Sequence, residues 1–171
     1  MKPTVPKPNS DVHTPEVRSY NMGRIRGRDT RPELLIRRGL HARGYRFRLH
    51  VKDLPGRPDA VFPKYRAVLF VHGCFWHGHN CHLFRMPATR TDFWASKIAA
   101  NRSRDARASA ALEEARWRVL TVWECSMRGI HRWPQERILD FCEAFLNGNA
   151  STHEIARRCS GTDQLDDCSP P

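Results

Sequence analysis

No apolar run in the 171 residues approaches the roughly 20 that a membrane span needs, so no spanning helix and no membrane partner are expected. Residues 1–15 also lack an apolar stretch. Pro3, Pro6, Pro8 and Pro15 fall there among Lys, Asn, Ser and Thr, which excludes a secretory signal and points to disorder over residues 1–14. Acidic residues are scarce: 18 Asp and Glu stand against 29 Lys and Arg, for a formal net charge of +11. A surface with that imbalance seeks polyanions, nucleic acid first. Internal repeats are absent. So are the His-x-Glu and Pro-Cys-x-x-Cys patterns that a zinc nucleobase deaminase requires.

Six cysteines are present. In a charged chain without a signal peptide they argue against a disulfide framework and for the reducing cytosol, with some thiols ligating metal. Hydrophobic residues make up 40% of the chain, enough for one core. The expected organisation is one folded domain over residues 15–146 and a loose, polar tail over 147–171, where Cys159 and Cys168 have no assigned role.

Thr14-Pro15 can open a basic helix through Arg28, with Arg18, Arg24, Arg26 and Arg28 around Tyr20, Met22 and Ile25. That helix is either a solvated surface or an arm laid on DNA, with Met22 available as a wedge. Thr30-Arg-Pro-Glu33 is a capping box, and the helix it starts should run to Arg43 and stop at Gly44. Glu33, Ile36 and Leu40 share one face, so Glu33 can cap its helix and face inward at once. The alternation of Tyr45 to His50 predicts a half-buried strand with a cationic outer face. Asp59–Phe62 and Arg66–Val71 should pair as a hairpin around Pro63-Lys-Tyr65. His72 to Pro87 should be an irregular loop, and Thr91 should cap a helix through about Ala115. Trp117–Trp123 alternates as a buried strand, completing a strand-helix-strand crossover with parallel strands. Pro134 opens a last helix to about Leu146, with Cys142 as a core thiol.

The crossover brings Cys125 to the edge where Cys74, His79 and Cys81 lie in one loop. Thiolates with one imidazole suit Zn²⁺, and four protein ligands would close the site and make it structural. His77 and His82 compete with His79 as the nitrogen ligand, and buried thiols beside a surface histidine are the bland account. Asp59 on one hairpin strand and the Val71 backbone on the other could hold Mg²⁺, with Glu33 as an outer oxygen. His72 and His77 are then available as general base and assistant at a phosphate. Phe75 and Trp76, between the candidate zinc ligands, and Trp94 are either core plugs or exposed stacking groups. The reading is a metal-dependent DNA endonuclease.

His72-Gly-Cys-Phe-Trp-His-Gly-His-Asn-Cys81 follows Leu54-Pro-Gly-Arg-Pro-Asp59 and precedes Pro87-Ala-Thr-Arg-Thr91, Trp117-Arg-Val-Leu and Val122-Trp-Glu-Cys125. Together these closely resemble the very short patch repair (Vsr) endonucleases, from about Tyr20 to Phe145. The resemblance implies an α/β fold with a restriction-endonuclease-like core, a mixed central sheet flanked by helices and a structural zinc loop. It implies nicking of one strand beside the thymine of a T·G mismatch left by deaminated 5-methylcytosine. Asp59, the Val71 carbonyl and, through water, Glu33 would hold Mg²⁺. His77 would be the general base and His72 its assistant, while Cys74, His79, Cys81 and Cys125 would hold Zn²⁺. Phe75, Trp76 and Trp94 would enter the DNA from the major groove, and the helix with Met22 would cross the minor groove. Lys97 and Asn101 match positions that read the mismatched bases. Val71, Gly78 and Asn80 depart from a family member with Thr and histidines there. The expected partner is mismatched duplex DNA, with general mismatch-repair proteins as further partners, acting as a monomer in the cytoplasm on the nucleoid. A sequence-specific nuclease acting on matched duplex and a zinc-stapled DNA-binding module without catalysis are the alternatives.

Overall fold

The computed structural model describes residues 27–157 together with residues 14, 17, 20 and 23. Met22, most of the basic N-terminal helix, Cys159 and Cys168 lie outside the described residues. The described chain is a mixed α/β fold with one four-stranded sheet in the order β1-β2-β3-β4.

Helix α1 spans Arg31–Ala42. The Thr30 hydroxyl accepts from the Glu33 amide, and Pro32 sits in the first turn where its missing N–H costs nothing. Ile36 and Leu40 are fully buried below Glu33. Gly44, at φ +92°, ends the helix: its N–H bonds the His41 carbonyl and the Tyr45 N–H reaches back to Leu40, both at 3.0 Å. That is a Schellman ending, and its left-handed residue is the reason a glycine stands there.

Strand β1 (Ala60–Phe62) runs antiparallel to β2 (Ala67–His72), with Ala60 opposite Leu69, and a 3₁₀ turn at Pro63–Tyr65 joins them. The strand expected over Tyr45–His50 shrinks to a single bridge between Arg48 and Val61. Its would-be partner is only three residues long, and His50, at φ 56°, has already left the extended region. Helix α2 (Thr91–Glu114) crosses over to β3 (Arg118–Trp123), which lies parallel to β2 with His72 opposite Trp123. Thr91 is the first residue of α2 rather than its cap. Arg90, at φ 54°, occupies the cap position, and the Thr91 hydroxyl donates back to the Pro87 carbonyl.

A four-residue helix, α3 (Glu124–Met127), and helix α4 (Gln135–Asn147) follow. Residues Thr152–Ile155, in the tail expected to be loose, form β4, parallel to β3. The sheet therefore extends beyond the domain boundary expected at residue 146.

The sheet is packed on both faces. Ile36 and Leu40 of α1 and Ile138, Leu139, Cys142 and Phe145 of α4 meet Leu69, Leu120 and Val122 on one side. Val68, Phe70 and Val119 meet Leu112 of α2 on the other. Burying each such Val, Leu, Ile or Phe side chain contributes up to about 1.5–3 kcal/mol. The apolar load is uneven: α4 buries six side chains, whereas the 24-residue α2 buries only Ile98 and Leu112. Polar contacts must supply the rest of the hold on α2, and they occur at the functional site.

Candidate functional site

Alternation along β2 puts His72 on the same face as Val68 and Phe70, the face covered by α2. The chain leaves β2 through Gly73 and turns at Cys74–Gly78, which returns His77 to stack on His72 with ring centroids 3.8 Å apart and planes 4° off parallel. Gly78, at φ +61°, makes the turn possible, since a Cβ there would lie 2.6 Å from Ile98 Cγ2. The His77 Nδ1–H donates to Asp105 Oδ2 of α2 at 2.6 Å. Across from these rings, Asp59 precedes β1. Its N–H bonds the Leu69 carbonyl, and its Oδ2 accepts from the Val71 N–H at 2.7 Å.

Glu33, Asp59, Val71, His72, His77 and Asp105 line one cavity of about 730 Å³, and Arg28, Lys52 and Arg57 also line it. All five catalytic and Mg²⁺-binding residues named from the sequence therefore meet in one place. Glu33 does so while capping: its carboxylate accepts from the Asp29 N–H at 2.9 Å and the Thr30 hydroxyl at 2.7 Å, with the Arg37 guanidinium 3.8 Å away. Both the capping and the inward roles hold, because Glu33 is only 5% exposed.

The electrostatics separate these groups. Burial pushes the Asp59 carboxyl up to about 6, helped by the charge of Glu33 and opposed by the Val71 N–H. Burial pushes His72 down to about 4, and a charged His77 against its face lowers it further. Burial works to raise Asp105, but the hydrogen bond from His77 and the charges of His77, His72 and Arg104 outweigh it and hold the carboxyl below its usual range. Asp59 and Glu33 are two carboxylates facing one cavity with mutual repulsion, an arrangement a hard divalent cation relieves.

Cys74, His79, Cys81 and Cys125 form a second cluster, with all four ligand atoms within 4.8 Å of one another. The His79 Nδ1 lies 3.7 Å from the Cys74 Sγ and 3.5 Å from the Cys125 Sγ. A tetrahedral ion with ordinary zinc–sulfur and zinc–nitrogen bonds sets sulfur and nitrogen roughly 3.5 Å apart, so the donor set fits. The hydrogen bond from Cys74 and the neighbouring His79 bring Cys125 down to about 4, while its bond to Cys125 and burial hold the Cys74 thiol up. Neither competing nitrogen ligand joins this cluster. His77 faces Asp105, and His82 is exposed with its ring edge-on to His131.

A family model described as DNA mismatch endonuclease Vsr matches residues 10–83. Over 146 residues the chain is 45% identical to the DNA mismatch endonuclease Vsr of Escherichia coli strain K12, covering 85% of this chain and 94% of that protein. The chain belongs to the Vsr family. The Type II nicking enzyme V.XorIIP of Xanthomonas oryzae pv. oryzae is 56% identical over 118 residues, 69% of this chain and 87% of that protein. The Type II nicking enzyme V.NmeAIP of Neisseria meningitidis is 41% identical over 119 residues, 70% of this chain and 85% of that one. This Vsr-family protein is accordingly an endodeoxyribonuclease of DNA mismatch repair.

In this Vsr endonuclease the aromatics form a surface cluster beside the Cys74–Cys81 loop. Phe75 packs edge-on to Trp76 and Trp94, at 5.1 and 5.2 Å, and Phe93 meets Trp94 at 5.3 Å. Phe75, Trp76 and Trp94 are half-buried and Phe93 is exposed, so they are neither core plugs nor free rings. The Lys97 ammonium lies over the Trp76 and Phe93 rings. Asn101 donates to the Trp76 carbonyl at 2.7 Å and so ties α2 to the loop.

The sequence reading missed Asp105. It sits among Arg102, Arg104 and Arg107, where a carboxylate reads as a surface ion pair. A signal was present: Trp94, Ile98, Asn101, Asp105, Ala108 and Leu112 recur at intervals of four and three, which is one helical face. Ile98 and Leu112 are the buried residues of α2, so Asp105 stands midway along the inward stripe.

Proposed function

We propose that this endonuclease nicks one strand of duplex DNA beside the thymine of a T·G mismatch by Mg²⁺-dependent phosphodiester hydrolysis. The observation that carries the reading is the pairing of His77 with Asp105 in the cavity that also holds Asp59. With Nδ1–H committed to Asp105, Nε2 of His77 is the nitrogen left to take a proton from an attacking water. Asp105 fixes that tautomer and offsets the positive charge as it develops. His72 is held neutral by burial and can donate one N–H to a phosphate oxygen without competing for the proton.

Asp59, the Val71 carbonyl and, at one remove, Glu33 would hold Mg²⁺, which would neutralise phosphate charge and acidify the water when bound. The cationic rim of Arg28, Lys52 and Arg57 would receive the flanking DNA backbone. We read Cys74, His79, Cys81 and Cys125 as a structural Zn²⁺ site, since four protein ligands leave no open position. Phe75, Trp76 and Trp94 are the proposed wedge, and Lys97 and Asn101 the proposed readers of the mismatch. Met22 belongs to the proposed arm. A restriction-endonuclease-like core is the fold assignment that accompanies this reading.

Nicking of T·G, A·T and G·C duplexes with identical flanks, with and without Mg²⁺, tests the proposal. Cleavage confined to one strand of T·G duplex in the presence of Mg²⁺ is expected. Equal rates on the three duplexes would refute mismatch recognition, and cutting without a divalent cation would refute the metal role.

A further inference from the structure

Trp123, at the end of β3, is the ring that touches both clusters. Its indole stacks on His79 of the Cys/His cluster with centroids 4.2 Å apart and planes 12° off parallel. The stacked imidazoles of His72 and His77 meet it in T-shaped contacts, with centroids at 5.2 and 6.3 Å. Its one polar atom, Nε1–H, donates to Glu154 Oε2 at 2.8 Å. Glu154 lies on β4, and the alternation of that strand, with Ile155 buried on the face of α1 and α4, turns Glu154 toward the face of α2.

We propose that Glu154 is a positioning residue for the histidine pair, acting through Trp123, and that β4 is part of the nuclease site. An aromatic ring turns about its second side-chain torsion with two broad, roughly equivalent orientations, so stacking alone leaves the indole free to flip. An indole N–H donates and cannot accept, so the Glu154 carboxylate selects one orientation. In that orientation one face supports His79, and the ring limits how far the stacked His72 and His77 rings can lean. A flipped indole would set a differently shaped ring against His72 and His77 and change the wall they meet. Sub-ångström errors in a general base cost rate and leave substrate binding intact, because DNA is gripped elsewhere.

The inference rests on the assignment of His77 and His72 to cleavage. Its test is steady-state nicking of a T·G duplex by Glu154→Ala, Glu154→Asp and Glu154→Gln proteins, with the Trp123 indole N–H followed by ¹H–¹⁵N correlation spectra. Glu154→Ala should lower kcat about tenfold, a fraction of the roughly 100-fold that a full 1 Å misplacement can cost. KM should stay within about twofold, and the indole resonance should move. Glu154→Asp keeps the charge but is one methylene too short, so it should behave as Ala does and stands in for it should Ala fail to fold. Glu154→Gln keeps an acceptor at the right reach and should restore both kcat and the resonance. Wild-type kcat in the Ala and Asp proteins would overturn the inference, as would a loss that Gln does not restore or an indole resonance that none of them moves. Wild-type protein that fails to nick T·G would refute the mismatch reading instead, and the resonance would still decide whether Glu154 orients Trp123.

Discussion

The Asp59 carboxylate should make the Mg²⁺-free protein less stable than it could be. Burial moves its carboxyl from an ordinary 3.8 to about 6, which corresponds to about 3 kcal/mol between protonation states. The sign follows from proton binding. Between those two values the folded chain holds a proton that the unfolded chain has released, so the contribution is complete below the unfolded value and is lost as pH rises through about 6. At pH 7.5 the ionised form is buried against Glu33 with the Val71 N–H as its hydrogen-bond donor. Asp59→Asn keeps an acceptor for that N–H and removes the charge. The amide carries its own burial cost, which leaves an expected gain of about 2 kcal/mol, or a rise of about 4–8 °C in Tm for a chain of this size. The assay is thermal unfolding of wild-type and Asp59→Asn proteins dialysed free of Mg²⁺ without chelator, across pH 4.5 to 7.5. The gap should shrink toward pH 4.5, and Mg²⁺ at pH 7.5 should narrow it by stabilising the wild type alone. The Asn protein should not nick. An Asn variant no more stable than wild type at pH 7.5 would refute the reasoning, because the carboxylate would then be adequately solvated or paired.

Asp105→Asn should lower kcat on the order of 100-fold with little change in KM, because the amide no longer enforces the tautomer that leaves His77 Nε2 free; an unchanged kcat in steady-state nicking would remove Asp105 from the mechanism. Cys125→Ala should lose bound zinc by metal analysis and loosen the 74–81 loop, and full retention of zinc would show that Cys125 is not a ligand.

The parts of the site legible in the sequence were those fixed by local rules or by topology. The capping box and the Ile36–Leu40 stripe place Glu33, and the strand-helix-strand crossover brings Cys125 to the Cys74–Cys81 loop. What stayed illegible depended on partners far along the chain. Tyr45 to His50 alternates as a strand should, but pairing was capped by the length of β1. Thr152–Ile155 is a short edge strand in a polar tail, and its period of two is too brief to stand out. Asp105 is not singled out, because its arginine neighbours give it the context of a surface, and its inward direction follows only from the helical period set by Ile98.

Helix α2 lies between two of the candidate zinc ligands: Cys81 precedes it and Cys125 follows it. An ion shared by these side chains would close the intervening segment into a ring. A cross-link around a loop of that length removes about 4 kcal/mol of chain entropy from the unfolded state. That is comparable to the combined burial of Ile98 and Leu112, the helix's two apolar anchors. The element that carries Trp94, Lys97, Asn101 and Asp105 would then owe as much of its docking to a clasp at its ends as to contacts along its length. Its order would follow the free zinc concentration, and zinc withdrawal would release the aromatic cluster and the Asp105 carboxylate in one event.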